Sequence, residues 1–325
     1  MCLKIFFCEG MKEKISAFVD FLGANGIHVR DTAELTQKLT VIKSEGLEQL
    51  QIVSDFDRTL TPQWLKDPCS QTGKLRICQS SHGVVETSSL VSSEYVATTR
   101  ALAEHYMPLE HDHRLSVEEK KKICEEWYHK AHSCMLQERL TKATVRAIVK
   151  ECWGDMRIHL REDCSALFAR AEELAVPVTV LSAGLADVID NILDLEKIDI
   201  VPPGQDGEAV MVVGNRLEFD SQGAHVGFSE PVVHTLNKRL ALADALIRSP
   251  LRANRRNAIL MGDLIGDVDF VHSIPNLETY IAVAFLADAD RHEERVMEYL
   301  KHFDIVITGG SASMHVILSL IDALT

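Results

Sequence analysis

Two aspartates stand one residue apart in IVSDFDRTLT (52–61), directly behind an apolar run. Asp55 and Asp57 would repel each other there unless a cation lies between them or one keeps a proton. A second apolar run, NAILMGDLIGDVDF (257–270), also ends in carboxylates, Asp263 and Asp267. If the two runs are neighbouring parallel strands, Asp55, Asp57 and Asp263 converge at one sheet edge. Clustered hard oxygens without Cys or His suit Mg²⁺, which takes one or two carboxylates plus phosphate oxygens. With that ion present, Asp55 can attack phosphorus and become an aspartyl phosphate. Asp57 can protonate the leaving alkoxide and then deprotonate the attacking water.

Two further groups complete such a site. Ser182-Ala183-Gly184 follows the run 176–181 and is expected to open a helix, where a hydroxyl and N–H groups hold phosphate oxygens. Lys238, in HTLNKRL, is the lysine best placed by its order along the chain. Thr59 closes the D-x-D-x-T pattern and is expected to support it.

The elements that must position these residues are legible as short β-rich runs. They lie at 50–57, 176–184, 209–215, 257–263, 280–286 and 304–310. Helical patterns separate most of them, including 186–196 and 232–247. Continuous apolar strands between helices indicate an α/β fold with a parallel sheet covered on both faces. The gap between Asp57 and Ser182 is 125 residues, whereas a βαβ step needs about 30 or more. Much of the surplus reads as helix. Residues 116–140 open with a capping box, Ser116 with Glu119, and 141–153 follow. Residues 62–93 read as a loop-rich entry. The expected organisation is an N-terminal extension (1–36), a core (37–75 and 160–325) and a mostly helical cap (76–159) inserted after the first strand. Insertions at strand carboxyl ends sit over the ligand crevice.

Composition narrows the partners. The formal charge is −14 and no basic tract stands out, which argues against a nucleic-acid polymer. No apolar run is long enough to span a membrane. The start, MCLKIFFCEGMKEK, reads as an irregular N-terminus rather than a signal peptide. Eight scattered cysteines without a CxxC read as reduced thiols of a cytoplasmic protein. Cys69, Cys78 and His82 lack a second ligand pair for zinc. His105, His111, His113, His129 and His132 crowd one region without a matching ligand set. GGSAS (309–313) reads as a C-terminal turn rather than a phosphate loop.

The order D-x-D-x-T, strand-end Ser, Lys, then G-D-x-x-x-D resembles the haloacid dehalogenase superfamily. From about residue 37 to the end, the chain further resembles the cytosolic 5′-nucleotidase type III family, the pyrimidine 5′-nucleotidases. The stretches that carry this are LQIVSDFDRTLT, SHGVVE, LSVEEK, EWYHKAH, VPVTVLSAGLADVI, TLNK and LMGDLIGDVDF. The resemblance implies a Rossmann-like, HAD-like core with a helical cap. It implies Mg²⁺-dependent hydrolysis of nucleoside monophosphates, CMP and UMP first; a monomer is expected. A 7-methylguanosine monophosphate-specific sister activity, or another small phosphate ester, is the alternative. It also implies roles. Mg²⁺ is held by Asp55, the main-chain carbonyl of Asp57 and Asp263. Ser182, Ala183 and Lys238 hold phosphate, and Asp267 supports them. Glu110 contacts the base, with Trp127, Tyr128 and His132 in the matching aromatic segment of the cap.

Several residues depart from the family pattern: Leu264 and Ile265 in the last motif, His113, Ala131 in place of a hydroxyl, and Arg58 after the second aspartate. None removes a carboxylate of the site. An acid at 57 argues against a dehalogenase, whose halide leaving group needs no proton. It also argues against an ion-pump ATPase, which has Thr at that position. A protein that only binds nucleotide would be expected to lack Asp55, Asp57 or Lys238; all three are present.

Overall fold

The six apolar runs fold as six neighbouring strands of one sheet. The computed structural model describes residues 2–68, 70, 73–110, 112, 114–202, 205–287 and 293–325, with residues 2–11 described by backbone alone. The chain opens with α1 (Cys2–Ala24), β1 (His28–Val29), α2 (Thr32–Glu45) and β2 (Leu50–Ser54). A hairpin of β3 (Trp64–Lys66) and β4 (Leu75–Ile77) precedes α3 (Ser81–Glu86), α4 (Ser93–Glu110), α5 (Val117–Gln137), α6 (Lys142–Gly154) and α7 (Cys164–Glu173). Then come β5 (Val178–Leu185), α8 (Ala186–Leu195), β6 (Met211–Asn215), β7 (Leu217–Phe219) and β8 (His225–Phe228). The last part holds α9 (Lys238–Ile247), α10 (Pro250–Ala253), β9 (Asn257–Gly262), β10 (Thr279–Leu286), α11 (Glu293–Tyr299), β11 (Ile305–Thr308) and α12 (His315–Leu324).

The seven-stranded sheet runs β1-β11-β10-β9-β2-β5-β6. Every pairing is parallel except β1 with β11. β2 lies between β9 and β5, where the chain reverses its direction across the sheet, the usual crevice of an open α/β sheet. All five residues of β2 and all six of β9 are buried, as strands covered on both faces must be.

Residues 12–36 are built into this core. α1 is helical from Cys2, where an irregular start was expected. Ile15, Phe18 and Leu22 join the main hydrophobic cluster with Leu35, Leu39 and Ile42 of α2. Arg30 and Lys38 reach the buried Asp304 at 2.6 and 2.8 Å, tying the end of β1 and α2 to the start of β11.

The stretch 76–159 is mostly helical. α5 carries the expected capping box between Ser116 and Glu119. α4 packs along α5, and α5 also packs on β8, with the His132 and Phe228 rings stacked at 3.7 Å. α3 and α6 lie instead against α8.

Two boundaries differ from the sequence expectation. β5 continues through Ser182 and Gly184 to Leu185, so these residues do not open a helix. Its register against β6 shifts between Leu181 and Leu185, which lifts 182–184 out of the regular ladder. The helix expected over 232–247 starts only at Lys238. Before it, the Asn215 side chain accepts from Val233 N at 2.8 Å and donates to Val233 O at 2.7 Å, holding the chain extended.

Candidate active site

Three adjacent strands deliver the site. Asp55 follows β2, Asp263 follows β9, and Ser182 lies in the bulged end of β5. Ligand oxygens of Asp55, Asp263 and Asp267 lie within 4.8 Å of one another. Among the described residues this is the one group of His, Cys, Asp or Glu side chains that converges so closely. Lys238, buried at the first position of α9, lies 2.5 Å from Asp55 Oδ1 and 3.5 Å from Asp267 Oδ1. It is not on a solvated helix face.

The electrostatics follow from this crowding. Burial pushes the Asp55 carboxyl up to about 7; Lys238 opposes the shift and Asp267 adds to it. Burial also drives Asp263 well above the usual carboxylate range, reinforced by Asp55 and Asp267. Burial acts to lower Lys238, yet Asp55, Asp267 and Asp263 outweigh it and hold the ammonium charged. The acids outnumber the nearby ammonium, so the cluster is built to keep a proton or to take a divalent cation.

Asp57 is turned elsewhere. Its carboxylate accepts from Ser81 N at 2.9 Å and Ser81 Oγ at 3.0 Å. Burial raises its pKa, and the Ser81 hydrogen bonds pull against that. The expected metal set takes Asp57 by its main-chain carbonyl, and its side chain lies outside the acidic triple, whose third member is Asp267. Asp267 Oδ2 accepts from the N–H groups of Asp263 and Leu264 at 3.1 and 3.0 Å, fixing the turn after β9.

Glycines make the close approaches. A Cβ on Gly184 would overlap Ser81 Oγ, and one on Gly262 would overlap the Asp267 side chain. Ser182 Oγ accepts from Gly184 N at 3.0 Å, leaving its hydroxyl proton free to donate.

Thr59 is buried, and among the described residues its hydroxyl has no hydrogen-bond partner. Its support is through the backbone. Arg161 donates to the carbonyls of Thr59, Arg58 and Ala312 at 2.7, 2.6 and 2.8 Å and stacks on Phe285. That arginine locks the loop after β2, and GGSAS is part of the lock rather than a phosphate loop.

Above the acids opens a cavity of about 280 Å³. Its floor includes Asp55, Asp57, Ser182, Ala183, Lys238 and Asp263. Its far end is lined by Thr99, Met107, Trp127, Tyr128 and Ala131 from α4 and α5. Arg58, held in the left-handed region at φ 67°, lines it as well. Of the four expected base contacts, Trp127 and Tyr128 line the cavity; Glu110 and His132 do not. Glu110 accepts from Thr235 Oγ1 at 2.5 Å and from Cys124 Sγ at 3.8 Å. His132 is buried against Phe228.

Sequence reasoning missed Ser81, Glu86 and Arg161. Ser81 and Glu86 both stand in SHGVVE, whose capping serine Ser80 marks a helix start. Cys69, His111 and His113 lie outside the described residues, as do the side chains of Cys2 and Cys8. Cys78 is a buried thiol pushed up to about 12 by burial, with no zinc cluster around it among the described residues.

A parallel sheet with this strand-end carboxylate cluster defines a phosphatase-type enzyme with a HAD-like fold. The profile described as Pyrimidine 5′-nucleotidase (UMPH-1) matches residues 69–325. The chain belongs to this 5′-nucleotidase family. The 7-methylguanosine phosphate-specific 5′-nucleotidase B of Xenopus laevis is 30% identical over 286 residues, 88% of this chain and 91% of the relative. The Homo sapiens 7-methylguanosine phosphate-specific 5′-nucleotidase is 28% identical over 279 residues, 86% of each. A solved structure of cytosolic 5′-nucleotidase IIIB bound to cytidine superposes with a TM-score of 0.75 at 27% identity, covering 94% of this chain and 96% of that one.

Proposed function

We propose that the chain is a Mg²⁺-dependent 5′-nucleotidase that takes the phosphoryl group of a nucleoside 5′-monophosphate onto Asp55. One observation carries this reading. Asp55, Asp263 and Lys238 meet at the floor of a cavity whose other end is aromatic. The excess of buried acid over ammonium fits a divalent cation. Asp55 and Asp263 would hold it, together with the main-chain carbonyl of Asp57 that the family resemblance implies. When bound, the ion would offset the charge of Asp55 and of the phosphate.

The chain's own groups do the rest. Asp55 attacks phosphorus. Asp57, fixed by Ser81, gives a proton to the departing 5′ oxygen. The Ser182 hydroxyl, the backbone at Ala183 and the Lys238 ammonium hold the non-bridging oxygens. Asp57 then takes a proton from water, which attacks the aspartyl phosphate, releases phosphate and restores Asp55. Asp267 keeps the turn after β9 in place.

Two substrate classes share the base end. CMP and UMP follow from the family description and from the cytidine-bound relative. 7-Methylguanosine monophosphate is supported at least as well by the relatives' specificity. Trp127 and Tyr128 offer ring faces that suit either base, and a cationic one most. The test is phosphate release from CMP, UMP, 7-methylguanosine monophosphate and AMP, with Mg²⁺ and with chelator. Mg²⁺-dependent release from at least one supports the reading. No release from any nucleoside monophosphate overturns it.

A further inference from the structure

The short helix α3 contributes His82 and Glu86 to the cavity lining. Its first residue, Ser81, holds Asp57 at the catalytic end. Its last residue, Glu86, lines the same cavity. At 1.5 Å of rise per residue, Glu86 stands about 7.5 Å further along the axis. That is on the scale of the separation between the phosphate and the base of a nucleotide. His82 and Glu86 are four residues apart and share a helix face. The His82 ring meets the Tyr128 ring edge-on at 5.7 Å, so this face of α3 adjoins the aromatic end.

Glu86 differs from the other acids in the lining. Asp55, Asp57 and Asp263 all stand at the strand ends; Glu86 is the remaining carboxylate. Asp55 and Asp57 have partners in Lys238 and Ser81. Among the described residues none forms a hydrogen bond or ion pair with the Glu86 side chain, although it is half-buried. Burial raises its pKa. A half-buried carboxylate without a partner is costly unless a ligand supplies one. Glu110, the acid the family resemblance assigns to the base, is outside the cavity lining, and its Oε1 accepts from Thr235 and Cys124.

We propose that Glu86 is a specificity-determining residue, pairing with a positively charged nucleobase held against Trp127 and Tyr128. This rests on the nucleotidase reading above. The base that fits best is a purine carrying a fixed positive charge on its imidazole ring, as N7-methylation of guanine produces. The carboxylate answers the charge and the ring faces answer the cation. Guanosine monophosphate, identical but for that methyl group and its charge, is the discriminating comparison.

The experiment measures kcat/KM for 7-methylguanosine monophosphate and for GMP on the same preparation of wild type, Glu86→Gln and Glu86→Asp. The ratio of the two constants cancels the fraction of active enzyme, so partial misfolding cannot imitate the result. The wild-type ratio should exceed one. It should fall about ten-fold or more in Glu86→Gln, mainly through KM, as expected for losing a charged partner. Glu86→Asp, which keeps the charge, should lie nearer wild type. A wild-type ratio near one overturns the proposal, as does a Glu86→Gln or Glu86→Asp ratio showing that charge at position 86 is irrelevant. Wild type inactive on every nucleoside monophosphate would instead overturn the nucleotidase reading itself.

Discussion

Ser81 donates both its N–H and its hydroxyl to the Asp57 carboxylate, at 2.9 and 3.0 Å. The acid/base group is therefore aimed by the start of α3 and not by its own strand. Ser81→Ala removes one of the two bonds and should lower kcat on the order of ten-fold with little change in KM. Asp57→Asn removes the proton carrier and should cost on the order of 10²- to 10⁴-fold. Steady-state kinetics on the best nucleoside monophosphate checks both, and an unaffected kcat in Asp57→Asn would contradict the role.

The same contact depends on Gly184. A side chain there would push into Ser81 Oγ. Gly184→Ala should displace α3 and reduce kcat by about the amount that Ser81→Ala does, since the same hydrogen bond is lost. The double variant should be no worse than the poorer single one, because both act on one interaction.

Cation binding should register as stability. Buried acids at 55, 263 and 267 repel one another, with Lys238 offsetting part of the charge. Mg²⁺ at about 100 times its Kd should raise Tm by about 4 °C. Asp263→Asn should lose most of that rise while folding normally without the ion. Differential scanning fluorimetry with and without Mg²⁺ reads this directly.

Two buried histidines, His82 of α3 and His132 of α5, predict a pH limit. Burial lowers His82 to about 4 and His132 to about 3, below the ordinary value of about 6.5. The unfolded chain thus takes up these protons first as pH falls. Stability contributed by the neutral rings is complete above about pH 6.5, and it is lost progressively toward pH 4 and below. His132→Phe keeps the stack on Phe228 and should flatten part of this decline. Urea midpoints between pH 7 and pH 4 provide the check.

Much of this architecture can be read from the amino acids because a parallel sheet buried on both faces writes each strand as an unbroken apolar run. Asp55, Asp57 and Asp263 are legible because they interrupt those runs at the same end. Ser81 and Glu86 are not, because a six-residue helix has too little pattern to show which face meets which neighbour. Ser81 is placed by tertiary contact, across the missing Cβ of Gly184. Ser182 was assigned to a helix start because a strand ending in Ser-Ala-Gly looks the same whether it stops or bulges. The bulge arises from pairing with β6, which is 26 residues away between Leu185 and Met211. Glu110 is marked only by the family resemblance, and its pairing with Thr235 depends on a segment 125 residues distant.

The central claim is that Asp55 carries the phosphoryl group. Acid quench during turnover, followed by borohydride reduction and peptide mass spectrometry, tests it most directly. An aspartyl phosphate at position 55 would be reduced to homoserine, only in the presence of substrate and Mg²⁺, and Asp55→Asn would show neither turnover nor homoserine. Turnover with no homoserine at 55, or near-normal activity in Asp55→Asn, would contradict the account.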